Sequence, residues 1–380
     1  MKPHKPLFSR RQLNLIIIVC VAAVALLSID TNPWPDFERR QLDGVVLTHL
    51  SDAEQPAQLR LSFALPDPGL QISTAALLLN ELLQQRLQQS GLAAQWQLQP
   101  HPDRLTLIHT PASATGLNDR LAQLLSALTA PFSPEQRQQQ LDLEQARRHL
   151  QRDQQSRLQR LDRQLRGESG LPTAQALETL QQQLFNQANL RLALRASEVD
   201  SWQPPIQSWL TQLPPGQPWP PAETRTEPIA AAVPWQSLPG RNQDSFTQAL
   251  LHSRILAGLS EQFQIQQLSS TQRSWRVWLP RHSDASLPGQ LQSIQQRLNG
   301  MKDWEVRQLA EQIGEQLEAL PQRPDALLEQ LEVIAFYELP LDYLPRFEAT
   351  IANLDGAALR QRLEAELSPE RFGSETLTKP

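Results

Sequence analysis

The alternation of apolar and polar positions predicts a regular succession of strands and helices after residue 42. Runs dominated by β-branched and apolar residues and bounded by Pro or Asp indicate strands, whereas leucines recurring at spacings of three and four indicate helices. The helix that follows the opening strands has the clearest ends, since Ser73 or Thr74 can cap its N-terminus and Gly91 can follow its last turn. The elements predicted in the first part of the chain are strands at 44–50, 57–65, 93–99 and 104–110 and helices at 73–91, 117–128 and 134–166.

The same order of elements recurs after a segment rich in proline and tryptophan. Residues 201–240 contain WQPPIQSWLTQLPPGQPWPPAETR, a composition that should not sustain a helix or a central strand, so they are interpreted as a semi-rigid linker. A polyproline ligand for a partner's aromatic groove is the alternative interpretation of that segment. The elements predicted after it are a helix at 247–263, strands at 264–270 and 274–280, and a helix at 287–298.

These later elements stand at a nearly constant separation from the earlier ones. Ala76 corresponds to Ala249 and Leu121 to Leu291, which argues for an internal duplication. The predicted fold class is therefore α+β, with two similar halves at 42–200 and 241–380 that are joined by the linker at 201–240.

The first thirty residues predict a membrane anchor. An apolar run without charge begins at Leu13 and ends at Ile29, and basic residues precede it. As a helix it would be roughly 26 Å long, just enough for a hydrocarbon core of ~30 Å. A cleaved signal peptide is the competing interpretation, but the small-x-small triplet at 23–25 lies inside the apolar run. We therefore expect residues 1–30 to be a cytoplasmic tail and a single inner-membrane span, with the bulk of the chain in the periplasm of a bacterial cell.

Composition and motifs do not indicate a self-contained active site. The net charge of −5 is spread along the chain and does not suggest a nucleic-acid partner, and the single cysteine, Cys20, excludes a disulfide framework. None of the seven histidines lies three or four residues from another, and no Gly-rich phosphate loop or G-x-S-x-G motif is present. The acids of the helix at 134–166 have arginines around them, which is typical of ion pairs rather than of an acid/base pair. No cofactor is expected.

The end of the chain carries a more specific pattern. ELPLDYL at 338–344 is followed by a helix, a second helix that starts at an Asn-Leu-Asp-Gly sequence, and SPERF at 368–372. This order resembles the C-terminal end of the insulinase family of zinc peptidases (pitrilysin-like or processing-peptidase-like), in which a Leu-Pro-x-x-Tyr corner, here Leu339, Pro340 and Tyr343, precedes two helices and an edge strand. In this chain the strand after Arg371 is cut short. The resemblance spans roughly residues 42–372 and implies two insulinase-type α+β halves.

One difference from the insulinase family bears directly on activity, namely the absence of its zinc-binding motif. Active members of the family carry H-x-x-E-H on the first helix after the opening strands, where the two histidines and a downstream Glu bind zinc and the motif's Glu is the general base. Here Leu77 and Glu81 stand where the histidines belong, Asn80 stands where the base belongs, and no histidine occurs from 71 to 96. The helix at 73–90 is thus a degenerate zinc helix, and neither a catalytic residue nor a metal ligand is predicted.

Two further expectations concern tyrosines. The family's substrate-holding Arg and Tyr pair is also missing, because Gly91-Leu92-Ala93 is followed by Ala94, so no substrate-binding residue is assigned. The only tyrosines of the chain, Tyr337 and Tyr343, flank the Leu-Pro corner. They are interpreted as packing residues whose hydroxyls bond to nearby backbone.

Three functional hypotheses follow. The first is a catalytically inactive, membrane-anchored subunit that pairs with an active insulinase-like zinc peptidase or another envelope protein. The second is a stand-alone periplasmic scaffold that binds proteins with its two-half shell and with linker tryptophans, some of which are expected to be exposed. The third is an active enzyme whose ligands come from His101, His109 and His252. The tryptophans of the second hypothesis are Trp202, Trp209, Trp219 and Trp235.

Overall fold

The fold is known from a computed structural model that describes most of the chain. The described residues are 34–66, 69, 71–111, 113–150, 162–163, 170–219, 234–241, 243–269, 273–282 and 285–372. Residues 1–35 and 36–380 form separate units, and the fold below is that of the second. The predicted anchor at 13–29 lies outside the described residues. Within the described part of the chain, no helix combines the length and the apolar character that a membrane span requires.

A six-stranded sheet organises the first half. Its strands follow the order β1-β2-β6-β3-β5-β4, and every neighbouring pair is antiparallel except β2 and β6, which run parallel. The strands are β1 (Phe37–Leu42), β2 (Val45–Ser51), β3 (Gln58–Ala64), β4 (Trp96–Pro100), β5 (Arg104–His109) and β6 (Leu190–Ala196). The predicted strands at 44–50, 57–65 and 104–110 coincide with β2, β3 and β5, whereas the strand predicted at 93–99 begins only at Trp96, after a 3-10 turn at Leu92–Ala94.

Helices cover one face of this sheet. The fully buried side chains of Leu59, Leu61 and Phe63 alternate along β3 and belong to a large apolar core that includes residues of the covering helices. Those helices are α1 (Thr74–Gln89), α2 (Leu117–Thr129), α3 (Pro134–Leu150), α4 (Ala174–Leu184) and α5 (Val199–Leu210). The helix predicted at 134–166 is observed to Leu150, and most of its remainder lies outside the described residues. Ser73 caps α1 as expected, since its side chain accepts a hydrogen bond from the Ala76 N–H.

The second half has a smaller sheet and more helices. Strands β7 (Trp235–Pro239), β8 (Phe263–Ser269) and β9 (Arg273–Pro280) pair antiparallel in the order β7-β9-β8, which repeats the order β3-β5-β4 of the first half. The helices are α6 (Phe246–Leu259), α7 (Leu287–Gly300), α8 (Asp303–Glu318), α9 (Pro324–Phe336), α10 (Tyr343–Ala352) and α11 (Gly356–Glu366).

The segment predicted to be a linker begins with a helix. Pro204 and Pro205 lie inside α5, so the expectation that 201–240 could not sustain a helix is wrong at this end. Trp202, Ile206 and Trp209 lie on one face of α5 and are buried in the core of the first half. Burial of these large apolar side chains outweighs the backbone hydrogen bonds that the two prolines cannot make. The other end of the segment is also structured, because it contributes β7 to the second sheet.

The prolines within residues 31–40 predict only a short spacer, but strand β1 begins there at Phe37. It forms a hairpin with β2 through a two-residue turn in which Asp43 has a φ of 47° and Gly44 a φ of 87°. Two consecutive positive φ values define the type I′ turn, whose strongest sequence signals include Asp-Gly. The chain therefore encodes this hairpin locally.

The Leu-Pro corner is a helix C-terminus of the Schellman type. The N–H of Leu339 donates to the carbonyl of Ile334 at 3.0 Å, and the N–H of Glu338 donates to that of Ala335 at 3.3 Å. Glu338 occupies the left-handed position with a φ of 52°, where glycine is usual. The corner reverses the chain from α9 into α10. After α11, residues Pro369–Arg371 form a single 3-10 turn, and residues 373–380 lie outside the described part.

Candidate functional site

The face of the first sheet opposite its apolar core carries five arginines. The strand registers place Arg39, Arg60, Arg104, Arg191 and Arg195 on this face, which we call the arginine face. Ser62 and Thr106 lie on the same face and are directly opposite each other on β3 and β5. Such a face could meet solvent, a ligand or another part of the chain.

Helix α9 of the second half covers the arginine face, with contacts to β6, β2 and β3. Its apolar residues Leu327, Leu328 and Leu331 are buried there. Every arginine of the face bonds to α9 or to the corner behind it. The bonds are Arg195 to the Pro324 carbonyl at 2.9 Å, Arg60 and Arg104 to Glu332 at 2.8 and 2.7 Å, Arg191 to Glu338 at 2.8 Å, and Arg39 to the Leu339 carbonyl at 2.6 Å.

Glu332 is the centre of these contacts. Its side chain is 2% exposed, and the side chains of Arg60 and Arg104 are 6% and 9% exposed, so all three charges are shielded from water. The carboxylate also accepts hydrogen bonds from Ser62 at 3.0 Å and Thr106 at 2.8 Å. A buried carboxylate with two guanidinium partners and two hydroxyl donors has its acceptor sites satisfied.

The charged and hydrogen-bonding partners of Glu332 lower its pKa. Burial alone would raise the pKa of this carboxyl, but the charge of Arg104 and the hydrogen bonds from Arg104, Arg60 and Thr106 outweigh burial and lower the pKa from 4.5 to about 2. Glu332 is therefore ionised at any physiological pH. It acts as a fixed anion between the halves and not as a proton-transfer group.

This lowered pKa predicts a loss of stability in acid. The folded protein holds the Glu332 proton less tightly than the unfolded chain, so the stabilisation is complete above pH 4.5 and is lost as the pH falls from 4.5 towards about 2. The expected loss in the free energy of unfolding is about 3 kcal/mol. Urea unfolding across this pH window should show it. A Glu332→Gln chain with an equally steep acid loss would contradict the assignment to Glu332.

A tyrosine adds a further bond between the halves. The Tyr337 hydroxyl donates to a carboxylate oxygen of Asp103, and Asp103 in turn pairs with Arg104 at 2.9 Å. Burial is the main reason that the pKa of Tyr337 is raised, so the phenol stays protonated and remains a donor. The expectation that this hydroxyl bonds to nearby backbone is wrong, because its partner is a side chain of the other half.

The position of the zinc motif lies on α1, on the opposite side of the sheet. Leu77 is half-buried, Asn80 is buried with its side-chain oxygen unpaired among the described residues, and Glu81 is half-buried. The Glu81 carboxylate accepts a hydrogen bond of 2.6 Å from Arg147 of α3. The guanidinium of Arg147 thus lies beside Glu81, the only carboxylate at the position of the motif.

The bond between Arg147 and Glu81 belongs to a wider ion-pair network between α1 and α3. Glu144 pairs with Arg147 at 3.7 Å and with Arg148 at 3.1 Å, and Arg148 donates to the Thr74 hydroxyl at 2.7 Å. The sequence predicted ion pairs for the acids of this helix, and Glu144 confirms that prediction. Each carboxylate here already has a cationic partner, which opposes the binding of a divalent cation.

The three histidines proposed as distant ligands have separate environments. His109 stacks on Trp96 with ring centroids 4.3 Å apart and lies 2.7 Å from the Gln95 carbonyl, whereas the His252 ring nitrogen lies 2.5 Å from Glu366. Burial lowers the pKa of both His101 and His109. Among the described residues, no group of three His, Cys, Asp or Glu side chains could hold a metal ion. The structure therefore does not bring together the ligands of the third hypothesis.

The tryptophans proposed as exposed docking groups are mostly enclosed. Trp202 and Trp209 are 3% and 0% exposed. Trp219 is half-buried and donates to the Ala64 carbonyl at 2.6 Å, and Trp235 is half-buried in β7. Trp202 and Trp209 are therefore not among the exposed tryptophans that the second hypothesis requires.

Comparison with known proteins identifies the fold. Neither a protein-family model nor a curated protein matches the sequence. Among solved structures, the inactive domain of an M16 peptidase from Pseudomonas fluorescens matches with a TM-score of 0.66 at 15% identity, covering 89% of this chain and 96% of that one. A predicted insulinase-family protease from Yersinia pestis matches with a TM-score of 0.54 at 18% identity, covering 90% and 92%. The chain thus has the mixed α/β fold of M16 peptidase halves.

A third match relates this chain to a longer protein. The periplasmic protease PqqL from Escherichia coli matches with a TM-score of 0.59 at 12% identity, covering 89% of this chain but 47% of that one. This chain therefore spans about half the length of that protease. The resemblance predicted from the Leu-Pro corner and the element order is confirmed at the level of the fold.

Proposed function

We propose that this chain is a catalytically inactive peptidase-like protein that pairs with an active zinc peptidase of the same fold and helps to enclose the peptide that the partner cleaves. The observation that carries the proposal is the helix α1. It keeps the place of the zinc helix after the opening strands, but it presents Leu77, Asn80 and Glu81 there, and Arg147 binds Glu81. Without two imidazoles and a general base, this helix can neither polarise a peptide carbonyl nor activate water.

Two comparisons support the pairing. The match to an inactive M16 domain is nearly complete in both chains, which is consistent with a non-catalytic homologue. The match to PqqL covers 47% of that protease, so this chain corresponds to about half of that protein. In the proposal, a second polypeptide supplies the other, catalytic part. Location at the periplasmic side of the inner membrane, with residues 13–29 as the anchor, belongs to the same proposal.

The test is affinity purification of the full-length chain from its native membrane, with the partners identified by mass spectrometry. We expect an insulinase-like protein with an intact H-x-x-E-H motif at about one copy per copy of this chain, and peptide hydrolysis that a zinc chelator abolishes. Purified alone, the full-length chain should contain far less than one zinc per molecule and should hydrolyse no peptide.

The outcomes separate this proposal from the alternatives. Recovery of other envelope proteins, or of none, would overturn the pairing and favour a stand-alone scaffold. One zinc ion per chain in the protein purified alone would revive an enzyme with ligands from distant residues. If the partner that co-purifies lacks the zinc motif, this chain would be a binding protein without a role in peptide cleavage.

A further inference from the structure

A cavity in the second half has features of a binding site that neither the zinc helix nor the arginine face uses. Its volume is about 590 Å³, and it lies between the turn from β7 to α6 and the helices α10 and α11. Its charged lining consists of Arg241, Arg346, Arg362 and Asp244, and Tyr343 of the Leu-Pro corner also contributes. The volume is within the range of ~300–1,000 Å³ that is typical of ligand sites in proteins.

The charge of the lining is unbalanced. Three guanidinium groups share the cavity with one carboxylate, that of Asp244, and no ion pair joins Asp244 to an arginine within the described residues. Arg346 pairs with Asp342 at 2.7 Å, but both side chains are more than half exposed. Arg362 makes no hydrogen bond or ion pair with any described residue, and its side chain is exposed. The cavity is therefore suited to an anion.

Arg241 is held in place without the loss of its hydrogen-bond donors. Its guanidinium carbon lies 4.0 Å from the ring centroid of Tyr337 and 5.3 Å from that of Phe246. These cation–π contacts fix the side chain but do not satisfy its N–H groups, and Nε is buried with no partner among the described residues. The other guanidinium N–H groups of Arg241 also form no hydrogen bond with a described residue, so they are available to an acceptor bound in the cavity.

Tyr343 supplies a neutral donor beside these cations. Its side chain is 8% exposed, and no described residue forms a hydrogen bond with its hydroxyl. Burial is the main reason that the pKa of Tyr343 is raised, although the charges of Arg241 and Arg254 act in the opposite direction. The phenol is thus protonated at neutral pH. Cationic donors together with a hydroxyl donor form a suitable receptor for a carboxylate.

The remaining lining favours a peptide over a small inorganic anion. Pro340 and Leu354 offer apolar surface, and Asn353 and Gln248 offer amides that can bond to a peptide backbone. We propose that this cavity binds an acidic segment of another protein, whose carboxylates contact Arg241, Arg362 and the Tyr343 hydroxyl. This proposal does not depend on a zinc peptidase partner, since the cavity lies within the second half of this chain.

The test uses the purified full-length chain in detergent and calorimetric titration with short peptides. One set carries two glutamates at spacings of one to four residues, and the matched set carries glutamines at the same positions. We expect at least one glutamate peptide to bind about tenfold more tightly than its glutamine counterpart, because its carboxylates form charge-assisted hydrogen bonds. Arg362→Gln, at an exposed position, and Tyr343→Phe, which keeps the ring, should each weaken that binding about tenfold.

The control removes the same charge elsewhere. Arg307→Gln changes an exposed arginine of α8 that pairs with Glu311, and it should leave peptide binding unchanged. Equal affinity for the two peptide sets, no binding by either set, or an Arg362→Gln chain that binds as well as the original would each overturn the proposal. Inorganic phosphate that displaces the peptide at a similar molar concentration would overturn it in favour of a small-anion site.

Discussion

Replacement of Glu332 by glutamine is expected to lower the free energy of unfolding by about 3–5 kcal/mol. The amide keeps the shape of the side chain but removes the negative charge, so Arg60 remains buried without a counter-ion and Arg104 keeps only Asp103. Hydrogen bonds from Ser62 and Thr106 also lose an ionised acceptor. Urea unfolding of the full-length chain at neutral pH, followed by circular dichroism, measures the effect.

The matched control is Glu311→Gln, which neutralises an exposed acid of α8 with the same change in composition. It should alter the free energy of unfolding by less than about 1 kcal/mol. Replacing the whole buried cluster by apolar residues, with Arg60→Met, Arg104→Met and Glu332→Leu together, should cost less than Glu332→Gln alone, because no buried charge is left without a partner. A Glu332→Gln chain as stable as the Glu311→Gln chain would show that the cluster does not hold the halves together.

Replacement of Arg276 by methionine is expected to have a comparable effect within the second half, about 3–5 kcal/mol. Arg276 has no exposed side-chain surface and pairs with Glu366 at 2.6 Å. It also donates to the Ser253 hydroxyl and the Gln236 side chain at 2.9 Å each, and to the Ala249 carbonyl at 3.2 Å. These contacts join β9 to α6, β7 and α11, so a single substitution removes hydrogen bonds that hold four elements together.

The same substitution should affect Glu366 in a specific way. Burial alone would raise the pKa of Glu366, but the hydrogen bond from His252 and the charge of Arg276 lower it. Without Arg276 the carboxyl loses one of the two groups that keep it ionised, and α11 should detach first. Amide hydrogen exchange should show faster exchange in α11 than elsewhere. Arg307→Met, at an exposed position, is the control, and unchanged protection of α11 in Arg276→Met would contradict the role assigned to Arg276.

The elements that sequence could predict are those defined by local signals. Helix α1 has a capping serine, leucines at helical spacing and a following glycine, and β4 and β5 flank a short turn; both agree with the structure. The Asp43-Gly44 signal of the β1–β2 hairpin is equally local, and it was outweighed by the prolines that precede it. Helix α5 could not be predicted from propensity, because its stability comes from the burial of Trp202 and Trp209 in a core made by other elements.

The contacts between the halves could not be predicted in the same way. Arginines that stand between apolar residues on β3, β5 and β6 indicate that one face of the sheet is charged, but they do not identify the counter-ion. Glu332 is 272 positions from Arg60, so no local sequence pattern connects the two residues. The absence of zinc ligands at Leu77, Asn80 and Glu81 could be derived from sequence because the family motif is short and contiguous. The guanidinium of Arg147 beside Glu81 required three-dimensional information.

The arginine face precedes α9, the helix that covers it, along the chain. This order has a consequence during synthesis. All six strands of the first sheet lie before residue 197, whereas α9 begins at Pro324. The nascent chain therefore emerges from the ribosome with a complete sheet whose arginines have not yet met Glu332. The sheet can reach its final stability only after α9 has also been synthesised, since long-range contacts close last. A ribosome that stalls between these two points would expose a sheet whose five arginines lack the partners that α9 and the Leu-Pro corner supply, although Arg104 already has Asp103. Chaperones or nucleic acids could bind this form before α9 covers it.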